Sequence, residues 1–288
     1  QPEASLEAII VRYKTILILL SVDHFQEDLK NAILLGQAVD AHLSVMVIAM
    51  AAPPPIGAYA ETISAAWLEE RQGDIAKLAD QTAQVKEQLA SSGLSFDVQD
   101  VYTEFAWADE DIGQRALYAD LALVGRQAAR EDDLRRRIVG GALFQAAAPL
   151  LFNPTAHAAN LSPTSVLIAW NSRIEAARAV QQALPVLQLA KEVHVTLVDP
   201  VAKPSSNGEE PGTDIAAHLA RHGVSVTVDV LASGGKAVDQ VLKQHASEIG
   251  AQLIVMGAYS HSRLRERVFG GVTRSMLEAA NVPIFLSH

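Results

Sequence analysis

An α/β fold used twice is what this sequence predicts: two open, mostly parallel sheets in one chain. Three observations carry that expectation. Apolar runs of strand length alternate with amphipathic stretches of ten residues or more, the pattern of a parallel sheet covered on both faces. The order of these runs repeats once, with copies near 1–153 and 161–288. The chain has 288 residues, a length that suits two domains better than one large sheet.

In the first copy, TILILL (15–20) and SVMVIAM (44–50) are the first two strands. EDLKNAILLGQAVDAH lies between them, with apolar positions at helical spacing. PPPIGAY (53–59) is a loop with three successive prolines, and a long helix follows over roughly 61–91 with Gly73 as its weak point. FDVQDVY (96–102) alternates like a strand. A short helix near 106–118 leads to LALVG (121–125), then LRRRIVGGALFQAAA reads as a loop and helix before PLLFN. The second copy follows the linker TAHAANLSPT. SVLIAW (165–170) is a strand, and EAARAVQQALPVLQLA a helix that Pro185 should bend or end. VHVTLVDP is a strand stopped by Pro200, KPSSNGEEPG a polar loop, and TDIAAHLARHG a helix closed by Gly223. VSVTVDVL, KAVDQVLKQHASEIG, QLIVMG, GGVTRSMLEAA and PIFLS complete the order as strand, helix, strand, helix and strand. The crossovers should be right-handed.

Composition narrows the class. Hydrophobic residues make up 49% and charged residues 19%, so a sizeable core is available and some surface is expected to be covered by a partner domain or subunit. The formal net charge of −10 offers a polyanion little general attraction, so nucleic acid is not an expected partner. There are no cysteines, which removes disulfides, thiolate chemistry and cysteine-based zinc sites and fits a cytoplasmic location. No apolar run is long enough for a membrane helix, and the start, QPEASLEAIIVRY, does not read as a secretory signal.

The stretch MGAYSHSRLRERVFGGVT, from residue 256, raises the functional question. In an open parallel sheet, ligands sit beyond the carboxyl ends of the strands, where Gly257 falls. Gly270 and Gly271 precede the last helix, whose N-terminus presents free N–H groups. Ser260, Gly271 and Thr273 are candidate donors to a phosphate, and His261, Arg263, Arg265 and Arg267 add positive charge. A well-made strand-to-helix turn that binds nothing is the competing reading. The stretch is neither a Walker A loop nor the dinucleotide fingerprint. Its counterpart, VGRQAAREDDLRRRIVGGAL (124–143), keeps Gly125, Gly140 and Gly141 but carries Glu131, Asp132 and Asp133 in the intervening loop. Those carboxylates repel phosphate, so the second copy is the better candidate.

The spacing resembles that of the universal stress protein family, in tandem. That pattern is Gly, two residues, Gly, nine residues, then Gly-Ser/Thr. Here Gly257, Ala258, Tyr259 and Ser260 are followed by the nine residues HSRLRERVF and by Gly270, Gly271, Val272 and Thr273. Ser260 stands where the family has its second glycine, and Gly271 where it has Ser/Thr. The resemblance implies an adenine-nucleotide-alpha-hydrolase-like topology, a five-stranded sheet of order 3-2-1-4-5 in each copy. It further implies an internal pseudo-dimer of the two domains, with a homo-oligomer also open, and a role in stress response. The implied ligand is an adenine nucleotide, ATP or AMP, with Mg2+ accompanying ATP. Nucleotide-binding members carry an Asp after the first strand; Asn171 takes that place in the second copy, and Ser21 or Asp23 in the first. Asp199, before Pro200, either meets a ribose or simply terminates its strand. A nucleotide-free interaction module and a weak ATP hydrolase remain as alternatives, and no residue stands out as a general base.

Other residues invite functional readings with weaker support. His218 and His222 are four apart in IAAHLARH, a spacing that suits a metal or an ordinary helix face, and packing is favoured. Asp109, Glu110 and Asp111, and the pair Glu209 and Glu210, read as solvated charge clusters. Trp67, Trp107 and Trp170 form no spaced platform for bases and are assigned to packing.

Overall fold

The computed structural model describes residues 13–51, 65–201, 210–258 and 271–288. The PPPIGAY loop, most of KPSSNGEEPG and the segment 259–270 lie outside them. The chain divides into two compact units, Tyr13–Ala158 and, among the described residues of the second, Ala159–His288.

The first unit holds β1 (Thr15–Ser21), α1 (Gln26–Val39), β2 (His42–Ala51), α2 (Ala65–Ala90) and β3 (Phe96–Glu104). α3 (Ala108–Ala116), β4 (Leu121–Val124), α4 (Arg126–Arg130), α5 (Asp132–Val139) and β5 (Leu150–Phe152) complete it. Its strands lie in the order β3-β2-β1-β4-β5, and the pairs are parallel. The second unit holds β6 (Ser165–Ala169), α6 (Ile174–Leu187), β7 (Glu192–Val198), α7 (Thr213–Arg221) and β8 (Val226–Leu231). α8 (Val238–Glu248), β9 (Leu253–Gly257), α9 (Gly271–Glu278) and β10 (Ile284–Ser287) follow. Their order, β8-β7-β6-β9-β10, is the same 3-2-1-4-5 arrangement, again with parallel pairs.

Burial explains why the central strands were so legible. Ile16, Leu17, Ile18, Leu19 and Leu20 are wholly buried, as are Leu121, Ala122 and Val124 beside them. A strand covered on both faces has no solvent side, so it reads as a continuous apolar run. The edge strands β3 and β8 mix exposed and half-buried positions, hence their alternation. α2 continues through Gly73, where an added Cβ would meet nothing. Arg71 on the same helix lies 5.3 Å from the Trp67 ring centroid and 5.0 Å from that of Tyr102 on β3, a cation–π bridge between the two elements. Pro185 neither ends nor interrupts α6 before its last turn, and Gln188 N–H still bonds Leu184 C=O at 2.9 Å.

The glycine pair of the first unit departs from expectation. Gly140 and Gly141 do not open a new helix. α5 runs straight into a π-helical segment, Gly140–Gln145. A Cβ on Gly141 would stand 2.5 Å from the Asp109 carbonyl oxygen, and one on Gly113 2.8 Å from Gln145 Cβ. These glycines therefore let α3 and the π-helical segment touch backbone to backbone. Among the described residues, no helix is long and apolar enough to cross a membrane.

Candidate functional site

The crevice of each unit lies at the carboxyl ends of its strands. In the first unit the protein's own carboxylate takes N–H groups at one helix start there. Asp28, the third residue of α1, is 1% exposed. Its Oδ1 accepts the Gln127 N–H at 3.0 Å and its Oδ2 the Ala128 N–H at 2.9 Å, at the start of α4. Gln127 reciprocates, its Oε1 accepting the N–H groups of Glu27 at 2.8 Å and Asp28 at 3.2 Å. Two helix N-termini thus cap each other. Burial raises the pKa of Asp28 despite the opposing bonds from Gln127 and Ala128. Gly125, which precedes α4, must be glycine here: its Cβ would fall 2.2 Å from Asp28 Cγ.

A cleft of about 270 Å³ in the same unit is lined by Ser21, Asp23, Ile48, Glu131, Asp132 and Asp133 among others. Asp23 is ion-paired with Lys77. Burial raises the pKa of Glu131, opposed by a bond from Ser21 and reinforced by Asp23. An anionic ligand would meet carboxylates on several sides.

The second unit differs at the corresponding places. α6 begins at Ile174 as α1 begins at Gln26, so its third residue is Ala176. Both third residues abut the glycine that follows the fourth apolar run: a Cβ on Gly257 would fall 2.5 Å from Ala176 N and 2.6 Å from the Glu175 carbonyl carbon. Ala176 itself carries no carboxylate, while the preceding residue, Glu175, lies against Gly257, its Cβ 2.9 Å from where a Cβ on Gly257 would fall.

The sheet register brings several expected residues to one edge. Ala169 is paired with Met256 on one side and Thr196 on the other, so Asn171 and Asp199 follow the ends of β6 and β7 and Gly257 is the last residue of β9, between them and β10. Asn171 is exposed, and its Oδ1 accepts the Arg173 N–H at 3.2 Å, shaping the entry to α6. Asp199 has φ 46° and accepts the Ser233 N–H at 3.0 Å, tying the end of β7 to the loop after β8. The Ser233 hydroxyl and N–H hold its pKa below the usual carboxylate value. Gly271 opens α9 with open space where a Cβ would be, whereas Thr273 is 5% exposed on the covered side of that helix. Ser260, His261, Arg263 and Gly270 lie outside the described residues.

Residues 163–288 match the model of the universal stress protein family. A universal stress protein structure from Archaeoglobus fulgidus DSM 4304 superposes with a TM-score of 0.63 at 15% identity, over 94% of this chain and 97% of that one. The chain has the universal stress protein fold. A putative universal stress protein from Pseudomonas aeruginosa UCBPP-PA14 gives 0.57 at 17% identity, over 96% and 94%. Comparison with curated proteins gives no match. Within this fold the family match covers the unit whose third helical residue is Ala176, and stops short of the one with Asp28.

A second constellation was not anticipated. His194, Asp229 and His245 converge on one face of the second sheet. They are 35 and 16 residues apart along the chain, so no local spacing announces them. Polar residues at two inward positions of apolar strands, in VHVTLV and VTVDVL, were the available signal. His218 and His222, which local spacing did single out, meet edge to face with centroids 4.7 Å apart.

Proposed function

We propose that the second unit binds an adenine nucleotide, ATP or AMP, and that the chain is a stress-response protein whose first unit has lost that ligand. The observation that carries this reading is Ala176 in place of Asp28. In the first unit a buried carboxylate takes the N–H groups at the start of α4, where the fold would offer them to a phosphate. In the second, the matching position holds a methyl group, which accepts no hydrogen bond. Asn171 and Asp199 would face the nucleoside. Gly257, Ser260, His261, Arg263, Gly270, Gly271 and Thr273 would serve the phosphates, with Mg2+ accompanying ATP. An internal pseudo-dimer, a homo-oligomer and a cytoplasmic setting belong to the same proposal and rest on the family resemblance.

Mass analysis of gently purified protein should find retained AMP, ADP or ATP. In calorimetry with Mg-ATP, Ala176→Asp and Gly271→Asp should each weaken binding at least tenfold with the fold intact. Asp28→Ala should change nothing in that titration. Gly271 is suited to the test because, among the described residues, nothing lies within 4 Å of where its Cβ would be.

The nucleotide-free interaction module is the second reading, and specific observations favour it. Gly257 already has a packing reason to be glycine, Asp199 is engaged with Ser233, and Glu175 Oε2 is buried without a hydrogen-bond partner. Absence of heat at millimolar nucleotide would select it. Phosphate release that survives repurification and disappears in Ala176→Asp would instead select a weak hydrolase.

A further inference from the structure

The face of the second sheet covered by α8 carries a cluster distinct from the crevice. Thr196 on β7 lies opposite Asp229 on β8, and His194 is two residues before Thr196. All three therefore share one face. His245 reaches them from α8. His194 Nδ1 and His245 Nε2 each lie 2.8 Å from the same oxygen, Asp229 Oδ2. The three donor atoms lie within 4.8 Å of one another. Their side chains are 13–20% exposed, recessed yet reachable from solvent.

We propose that His194, Asp229 and His245 bind a divalent transition-metal ion, with Zn2+ the best match. Two imidazole nitrogens and one carboxylate oxygen make up the donor set of zinc sites with three protein ligands and one open position. Donors on a tetrahedral zinc lie roughly 3.3 Å apart, so each 2.8 Å contact must open by about 0.5 Å. Side-chain rotation supplies that movement. The Glu248 carboxylate stands 3.6 Å from His245 Nδ1, where it favours a proton on that nitrogen and leaves Nε2 as the ligand. Thr196 Oγ1, on the same face, is buried without a hydrogen-bond partner. A water in the fourth coordination position is a candidate partner for it.

The first unit supplies the comparison that favours a cation over a plain hydrogen-bonded cluster. Ser44 on β2 lies opposite Asp97 on β3, with His42 two residues earlier. His42 Nε2 is 2.8 Å from Asp97 Oδ2, repeating the strand half of the cluster. From α3, however, comes Arg115, which is ion-paired with Asp97 and donates to Ser44 Oγ at 2.9 Å. A guanidinium is a permanent cation and no metal ligand. Where the first unit builds in its positive charge, the second presents an imidazole that leaves the place to an exchangeable ion.

The test uses the full, untagged chain after dialysis against a chelator. Native mass spectrometry and calorimetry with zinc chloride should show one ion per chain with micromolar or tighter affinity. Mg2+ and Ca2+, which prefer oxygen donors, should not compete. His245→Arg, which copies the first unit and keeps Asp229 paired, should abolish binding while the circular dichroism spectrum is retained. His194→Ala should weaken binding at least tenfold, and His42→Ala should leave it unchanged. Absence of zinc binding, or equal binding by wild type and His245→Arg, overturns the proposal. So does binding that is lost in His218→Ala and kept in His245→Arg.

Discussion

In the first unit the third residue of α1 is an acid, and its carboxylate takes the N–H groups of Gln127 and Ala128. In the second unit the third residue of α6 is Ala176, and the backbone of that helix, with Glu175 Cβ beside it, presses on the glycine opposite. The same glycine letter therefore has two causes. Gly125 makes room for a carboxylate, and Gly257 makes room for a helix. A glycine pattern is thus a statement about space, and what fills the space must be read from the partner element.

The largest effect should come where backbone meets backbone. Gly257→Ala drives a methyl to 2.5 Å from Ala176 N, and a helix backbone cannot swing aside. We expect a loss of about 3 kcal/mol in chemical denaturation of the second unit, followed by hydrogen exchange. Gly125→Ala meets a side chain instead, so a loss of about 2 kcal/mol is expected. In an Asp28→Ala background most of that loss should vanish, which a double-mutant cycle will measure. A full loss in both backgrounds would mean that Asp28 is not the obstacle.

Asp28→Ala alone removes one cap from two mutually capped helices and should cost about 1–2 kcal/mol, with faster exchange at Gln127 and Ala128. The pH dependence sharpens this. Burial raises the folded-state pKa of Asp28 above its ordinary 3.8. Its contribution to stability is then fully present below 3.8 and is lost as pH rises through the folded value. Wild type should accordingly lose stability relative to Asp28→Asn across that acid window, and an opposite slope would contradict the burial argument. The smallest effect belongs to Gly271→Ala, at an exposed position with no described residue within 4 Å of the added methyl. A change within about 0.5 kcal/mol is expected, and a large loss would show that the neighbouring segment packs there.

The strands of each unit were legible because doubly covered strands are written as apolar runs such as TILILL and LIVMG, whereas their order, 3-2-1-4-5, came from the family resemblance. The roles of particular polar residues were less so. Asp28 reads in sequence as an ordinary acid in the first turn of a helix, and only tertiary packing turns it toward α4. Gly140–Gly141 looks identical to Gly270–Gly271 in one-letter code. Yet α5 has already begun eight residues earlier and does not stop for the pair. Gly257 was read as a place for ligand approach, and its contact with α6 could not be seen without the fold. The histidine cluster was not legible because strands bring together residues that no window spans, whereas the four-residue spacing of His218 and His222, for which packing is favoured, lies within one helical window.

Asp28 has one more consequence. An anion tethered to its own cradle is never diluted, so the N–H groups of Gln127 and Ala128 keep their acceptor whatever the supply of dissolved phosphate compounds. A unit that must recruit its anion from solution is stabilised in proportion to the logarithm of supply. If the second unit binds a nucleotide as proposed, depletion of that ligand lowers the stability of one half of the chain and leaves the Asp28 cap unchanged.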